Sequence, residues 1–148
     1  MDNHVYFSPG EDCVNHIIDL INEAYNHLDI CVFTISDDRI SRAIVDAMKN
    51  GVDIRIISDN FKIEDSGSDI LDLSRVGIPV KLDTTENHMH HKFMIVDKKI
   101  VLTGSYNWTR SAALYNQENI ISTEDEEVVL KFSNEFEKLW LNTVIIDF

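Results

Sequence analysis

The stretch His90-His91-Lys92-Phe93-Met94-Ile95-Val96-Asp97, joined after six intervening residues to Gly104-Ser105-Tyr106-Asn107, decides how this chain is read. On a strand, residues two apart point to the same face. His90 and Lys92 therefore bring an imidazole and an ammonium into one small volume. Asn107 adds an amide donor from a second segment, and Gly104 beside it lets backbone come close. A nitrogen nucleophile next to a cation and an amide donor is suited to attack on a phosphodiester.

Working outward, the pattern alternates strand and helix. Val5 to Phe7 reads as a short strand, and Ser8-Pro9 as the cap and first turn of a helix. Val14, Ile17, Ile18, Ile21, Ala24 and Leu28 recur at helical spacing. Ile30 to Ile35 is an apolar run typical of a strand covered on both sides. Asp37 or Asp38 caps a second helix, which Gly51 ends. Val52 to Ser58 is a strand, residues 59–68 a polar loop, Ile70 to Val76 a helix and Ile78 to Leu82 a strand. His90 to Val96 and Ile100 to Thr103 form two strands about a tight turn at Asp97-Lys98-Lys99. Trp108 to Leu114 reads as a short helix, Glu118 to Ser122 as a last strand. Asp125 to Leu141 closes as an amphipathic helix with Val128, Val129, Phe132, Phe136, Leu139 and Trp140 inward. The expected fold class is α/β, one domain over residues 1–148, with a mixed but mostly parallel sheet flanked by helices on both faces.

The chain carries a net charge of −13 over 148 residues, which opposes approach to a polyanion. The charge is uneven. Between His88 and Gln117 stand Lys92, Lys98, Lys99 and Arg110 against Asp97 alone, so the reactive segment is expected to be locally positive. The acidic run Glu124-Asp125-Glu126-Glu127 reads as a solvated helix start or as a surface for a basic protein partner. Two cysteines are too few for a disulfide framework, and Cys13 and Cys31 read as reduced core residues. No apolar run reaches the ~20 residues of a membrane span. The N-terminus lacks a basic region followed by an apolar run, so a cytoplasmic location is expected.

The pattern H-x-K-x4-D-x6-G-S-x-N resembles the HKD motif of the phospholipase D superfamily, with His90, Lys92, Asp97, Gly104, Ser105 and Asn107 all in place. Tyr6 to Pro9, Ile30 to Thr34, Gly51 to Ile57 and Asn116 to Asn119 resemble the single-motif branch of Nuc-type endonucleases and Zucchini-like proteins. The resemblance implies a phospholipase D-like α-β-α sandwich and a phosphodiesterase that needs no cofactor and no metal. It implies that His90 attacks phosphorus to form a covalent phosphohistidine, while a second histidine acts as acid and base. One motif per chain then implies a homodimer with the active site on its two-fold axis. Lys92 and Asn107 would hold the phosphate oxygens, and Ser105 would orient donors. Glu118 would accept a proton from His90 and fix its tautomer.

Several residues carry two readings. Asp97 stands with the catalytic set or holds backbone at its turn. Lys98 and Lys99 are solvated turn residues or phosphate ligands. Arg110 is a surface cation or a substrate contact. Trp108 and Tyr106 are core residues or platforms on which a base stacks. His88 and His90 share a strand face at metal-binding spacing, but Lys92 would repel a cation. His4, His16 and His27 read as structural. The substrate is DNA, RNA or a phosphatidyl lipid such as cardiolipin; a non-catalytic or partner-activated subunit of a larger nucleic-acid-processing or defence assembly is the remaining reading.

Overall fold

A computed structural model describes residues 2–59, 67–83 and 85–145, so most of the polar loop expected at 59–68 lies outside the described residues. The elements run β1 (Asn3–Phe7), α1 (Asp12–Glu23), β2 (His27–Val32), α2 (Asp38–Lys49), β3 (Asp53–Ser58), α3 (Ile70–Arg75) and β4 (Val80–Leu82). They continue with β5 (Lys92–Val96), β6 (Ile100–Gly104), α4 (Arg110–Leu114), β7 (Asn119–Thr123), α5 (Glu126–Leu141) and β8 (Val144–Ile145). All eight strands join one sheet in the order β1-β7-β6-β5-β2-β3-β4-β8.

The α/β sandwich is as expected, but the sheet is not mostly parallel. Among the described strands, β2–β3 and β3–β4 pair in parallel and the other five pairings are antiparallel. The reason lies in the connections. Helices α2 and α3 carry the chain back between β2, β3 and β4, which makes those strands parallel. The chain then enters β5 and turns at once into β6, and such a tight connection permits only antiparallel pairing. Strand β8 carried no signal in the sequence reading.

Strand β5 shows why its apolar run is continuous. Met94 and Val96 join the large core under α1 and α2, while Phe93 and Ile95 join the smaller core under α5. Both faces are covered, so no position on Phe93–Val96 is polar. Helix α5 closes the second face with Val129 and Phe136 buried and with Val128, Phe132, Leu139 and Trp140 packed against them.

The local signals worked unevenly. The Asp37 side chain accepts from the Arg39 N–H and caps α2, and Asn50 and Gly51 end that helix, Gly51 at φ +92°. Ser8-Pro9 does not start α1, which begins three residues beyond Pro9 without a side-chain cap. Ser8 ties two segments together instead: its Oγ donates to the Asn116 carbonyl at 2.8 Å and accepts from the Glu118 N–H at 3.1 Å. Among the expected structural histidines, the His16 Nε2 pairs with Ser122 Oγ at 2.8 Å.

The turn after β5 is held by Asp97. Asp97 and Lys98 both adopt positive φ, 53° and 55°, as a tight hairpin turn requires. The Asp97 carboxylate accepts from the N–H groups of Tyr25, Asn26 and His27, the last two at 2.8 and 2.9 Å. It thus fixes the entrance to β2 as well as the exit from β5. Asp97→Ala removes this acceptor and places a Cβ-bearing residue without a polar side chain in the left-handed region. It should cost about 2 kcal/mol in chemical denaturation, and Asp97→Asn should cost less.

Candidate active site

One end of the sheet gathers the reactive residues. Pairing sets Phe7 opposite Asn119, Gly104 opposite Ile120 and Val32 opposite Lys92, so these strand ends lie in one row. Strand β5 starts at Lys92, so His90 sits in the irregular run into the strand and not on it. The two side chains still converge. Lys92 Nζ lies 3.0 Å from His90 Nδ1 and donates to the His90 carbonyl at 2.8 Å. An ammonium can only donate, so Nδ1 accepts and the neutral ring carries its proton on Nε2. The Phe33 ring, at the exit of β2, lies 4.7 Å from the His90 ring and 5.6 Å from Lys92 Nζ, giving the pair an apolar wall.

Electrostatics follow from this packing. Burial lowers the His90 pKa below the ordinary imidazole range, and the neighbouring Lys92 lowers it further. Burial likewise lowers the Lys92 pKa, with Glu118 pulling it back up. The pair thus disfavours two adjacent positive charges, and the imidazole stays neutral to lower pH than a free one.

The β6–β7 junction supplies the second side. Ser105 Oγ accepts from the Asn119 N–H at 3.1 Å, and the Ser105 N–H donates to the Asn119 carbonyl at 3.1 Å. A Cβ at Gly104 would collide with the Asn119 carbonyl and lie 2.8 Å from the Ile120 Cα. Gly104 is thus required for β7 to approach so closely. Asn107 follows two residues after Ser105 and keeps its Oδ1 buried without a hydrogen-bond partner among the described residues.

Other expectations need correction. Glu118 makes no hydrogen bond to His90 among the described residues: its N–H goes to Ser8 and its Oε2 accepts from Asn116 at 3.5 Å, while its charge acts on Lys92. Trp108 is fully buried and Tyr106 is 1 % exposed, so neither can stack on a base. Both are core residues because the segment between β6 and α4 packs back against the main chain. The Trp108 carbonyl accepts from the Ser36 and Asp37 N–H groups at 2.9 and 3.0 Å. Asp97, Lys98 and Lys99 lie at the opposite end of β5, roughly 13–16 Å from Lys92 at strand rise. The expected local positive charge is therefore split between two ends of the sheet. Arg110 is exposed at the start of α4 and makes no ion pair among the described residues.

Two contributors went unseen in the sequence. Phe33 was read only as part of a strand. Asp59, fully buried just after β3, accepts from the Met89 N–H at 3.0 Å and faces His88 Nδ1 at 3.4 Å, which anchors the run into His90. The sole available signal was an acidic residue at the end of an apolar strand.

An α/β sandwich with a histidine–lysine pair at one end of its sheet is a phospholipase D-like architecture. The family model described as "Cardiolipin synthase, PLD-like domain" matches residues 17–140, and the chain belongs to that family. It is 42% identical over 93% of its length to the mitochondrial cardiolipin hydrolase of Chlamydomonas reinhardtii, and 39% identical over 88% to that of Homo sapiens. The chain spans 61% and 52% of those two relatives. Among solved structures, the phospholipase D family member Nuc from Salmonella typhimurium superposes with a TM-score of 0.92 at 24% identity, covering 99% of both chains. NucT from Helicobacter pylori gives 0.87 at 28% identity, over 98% of this chain and 99% of its own. No helix among the described residues is long and apolar enough to cross a membrane.

Two outcomes follow. Histidine NMR titration should place His90 below about 6.5, the value of a free imidazole, and Lys92→Met should move it upward. Gly104→Ala should force β6 and β7 apart, with a stability loss of about 1–3 kcal/mol by denaturation and loss of activity.

Proposed function

We propose that this chain is a phosphodiesterase, a metal-independent endonuclease that cleaves DNA or RNA through a covalent phosphohistidine at a homodimer interface. The observation that carries the reading is the contact of Lys92 Nζ with His90 at 3.0 Å, at the open end of the sheet. In the first step His90 Nε2 attacks phosphorus and the leaving oxygen departs with a proton from His90 of the partner subunit. In the second step that same imidazole takes a proton from water, the water oxygen bonds phosphorus, and the nitrogen–phosphorus bond breaks.

For the acid role the partner's His90 must carry protons on both nitrogens; giving up the Nε2 proton leaves the neutral imidazole that serves as base in the second step. For the nucleophile, Nε2 must be unprotonated and Nδ1 protonated. Lys92 releases Nδ1 when it turns to a non-bridging phosphate oxygen, where its charge meets the charge that develops in the transition state. Asn107 presents its amide NH2 to the same oxygens. Ser105 acts by fixing the Asn119 backbone, and Glu118 by its charge on Lys92. Arg110 contacts substrate backbone beyond the cut. Asp97 works at a distance, through the register of β5. Within this reading, residues 1–148 act as one phospholipase D-like domain in the cytoplasm, and the acidic end of the sheet is where a basic protein partner would bind.

A second reading is favoured by a separate observation: the curated relatives are named cardiolipin hydrolases. The same chemistry would then act on a phosphatidyl lipid.

Incubation with labelled single- and double-stranded DNA and RNA, and separately with cardiolipin vesicles, all in excess EDTA, tests both. The endonuclease reading expects cleavage of nucleic acid by the wild type and a loss of at least about 1,000-fold, near the limit of detection, for His90→Ala. Cleavage of the vesicles alone would replace it with the lipid reading, and activity retained by His90→Ala would overturn the mechanism for either substrate.

A further inference from the structure

His88 stands at the reactive end but has no part in the reaction steps above. It lies two residues before His90, and its side chain is 56 % exposed. The ring is nonetheless held in place. Its Nδ1 lies 3.4 Å from Oδ2 of Asp59, a fully buried carboxylate just beyond β3. The other Asp59 oxygen accepts from the Met89 N–H at 3.0 Å, so one carboxylate fixes both the ring and the backbone beside it. The Phe33 ring meets His88 edge-on at 5.4 Å and also lies 4.7 Å from His90. These contacts set the His88 and His90 ring centres 6.4 Å apart.

We propose that His88 forms a second phosphate subsite, in which its protonated Nε2 donates to the phosphodiester next to the one that His90 attacks. This rests on the endonuclease reading, and it names a strand with at least two consecutive phosphodiesters as the substrate. A carboxylate only accepts, so Asp59 takes the Nδ1 proton of His88. Nε2 is on the opposite side of the ring and becomes a donor when a second proton arrives. The imidazolium then stands between two anions, the Asp59 carboxylate and the phosphate. Such charge-assisted hydrogen bonds are about twice as strong as neutral ones. A carboxylate on one ring nitrogen also orients the other nitrogen toward its ligand.

Spacing argues the same way. At 6.4 Å between centres the two rings cannot hydrogen-bond each other. Two phosphorus atoms joined through one sugar lie at a similar separation, so the rings match consecutive phosphates. The first phosphate already has its cation, because Lys92 Nζ bonds His90 Nδ1 and the His90 carbonyl. His88 is then placed to serve the next. On a chain of net charge −13, hold on a polyanion depends on such local donors. The charged and titratable groups around the two rings are Asp59, from the exit of β3, and His91 and Lys92, from the run into β5.

The test uses short DNA and RNA oligonucleotides with one phosphate replaced by an uncharged methylphosphonate, moved stepwise away from the cut. The proteins are the wild type, His88→Ala and His88→Lys; His88 is exposed, so both variants should fold. At one position beside the cut, neutralisation should lower kcat/KM about tenfold for the wild type at pH 6, mainly through KM. The loss should shrink as pH rises to 9, because only the doubly protonated ring donates from Nε2. For His88→Ala the loss should be no more than about twofold at any pH. His88→Lys should restore it and remove its pH dependence, since an ammonium stays charged over this range. Equal losses in wild type and His88→Ala, or no loss at any position, overturn this inference and leave the endonuclease reading in place. Cleavage of cardiolipin vesicles but of no oligonucleotide overturns both.

Discussion

The Asp97 carboxylate, shared among the N–H groups of Tyr25, Asn26 and His27, is the interaction on which the reactive end of the molecule depends. It sits at the far end of β5 and touches neither reactive side chain. What it fixes is register. With the exit of β5 tied to the entrance of β2, Val32 falls opposite Lys92 at the other end of the same strand pair. A slip of one residue would turn Lys92 toward α5 and Phe93 toward α1, because strand side chains alternate in direction. A motif residue can thus be indispensable while standing a whole strand away from the chemistry.

The same logic explains Tyr106 and Trp108. They flank Asn107 and are buried in the large core, while Asn107 itself leaves an acceptor without a partner among the described residues. Two large buried rings on either side of one amide fix the backbone on which it stands. The Tyr106 hydroxyl and the Trp108 indole N–H are also buried without partners among the described residues. Unsatisfied buried groups oppose folding, and here three of them fall on the consecutive residues Tyr106, Asn107 and Trp108.

Charge is distributed along the sheet in a way that the overall −13 conceals. The acidic start of α5 follows the end of β7 remote from Asn119, so it stands with Asp97 at the far end of the sheet. Lys92 and Arg110 stand near the reactive end. At physiological ionic strength charges separated by more than about 8 Å are largely screened. The acidic end therefore weighs little on Lys92 and His90 at the other end.

The sequence by itself determined the layered α/β class, the helix stop at Gly51, the inward stripe of α5, and the pairing of His90 with Lys92. These rest on short-range rules: side-chain periodicity, local backbone preferences, and residues two positions apart. Glu118 is expected beside the His90 ring from its match to the single-motif branch, and such a match does not say which atoms meet; of the two readings open for Trp108 and for Lys98 and Lys99, the structure gives core for the first and exposed turn residues for the others. Proximity in sequence says nothing about which end of a strand a residue occupies, or whether a ring faces core or solvent. Tertiary structure alone decided the predominance of antiparallel pairing, the separation of Lys98 and Lys99 from Lys92, and the burial of Trp108. It alone brought Phe33 to the His90 ring and Asp59 to the run that leads into it. Those contacts join segments dozens of residues apart, and they exist only because one sheet, covered on both faces, closes around a fixed register.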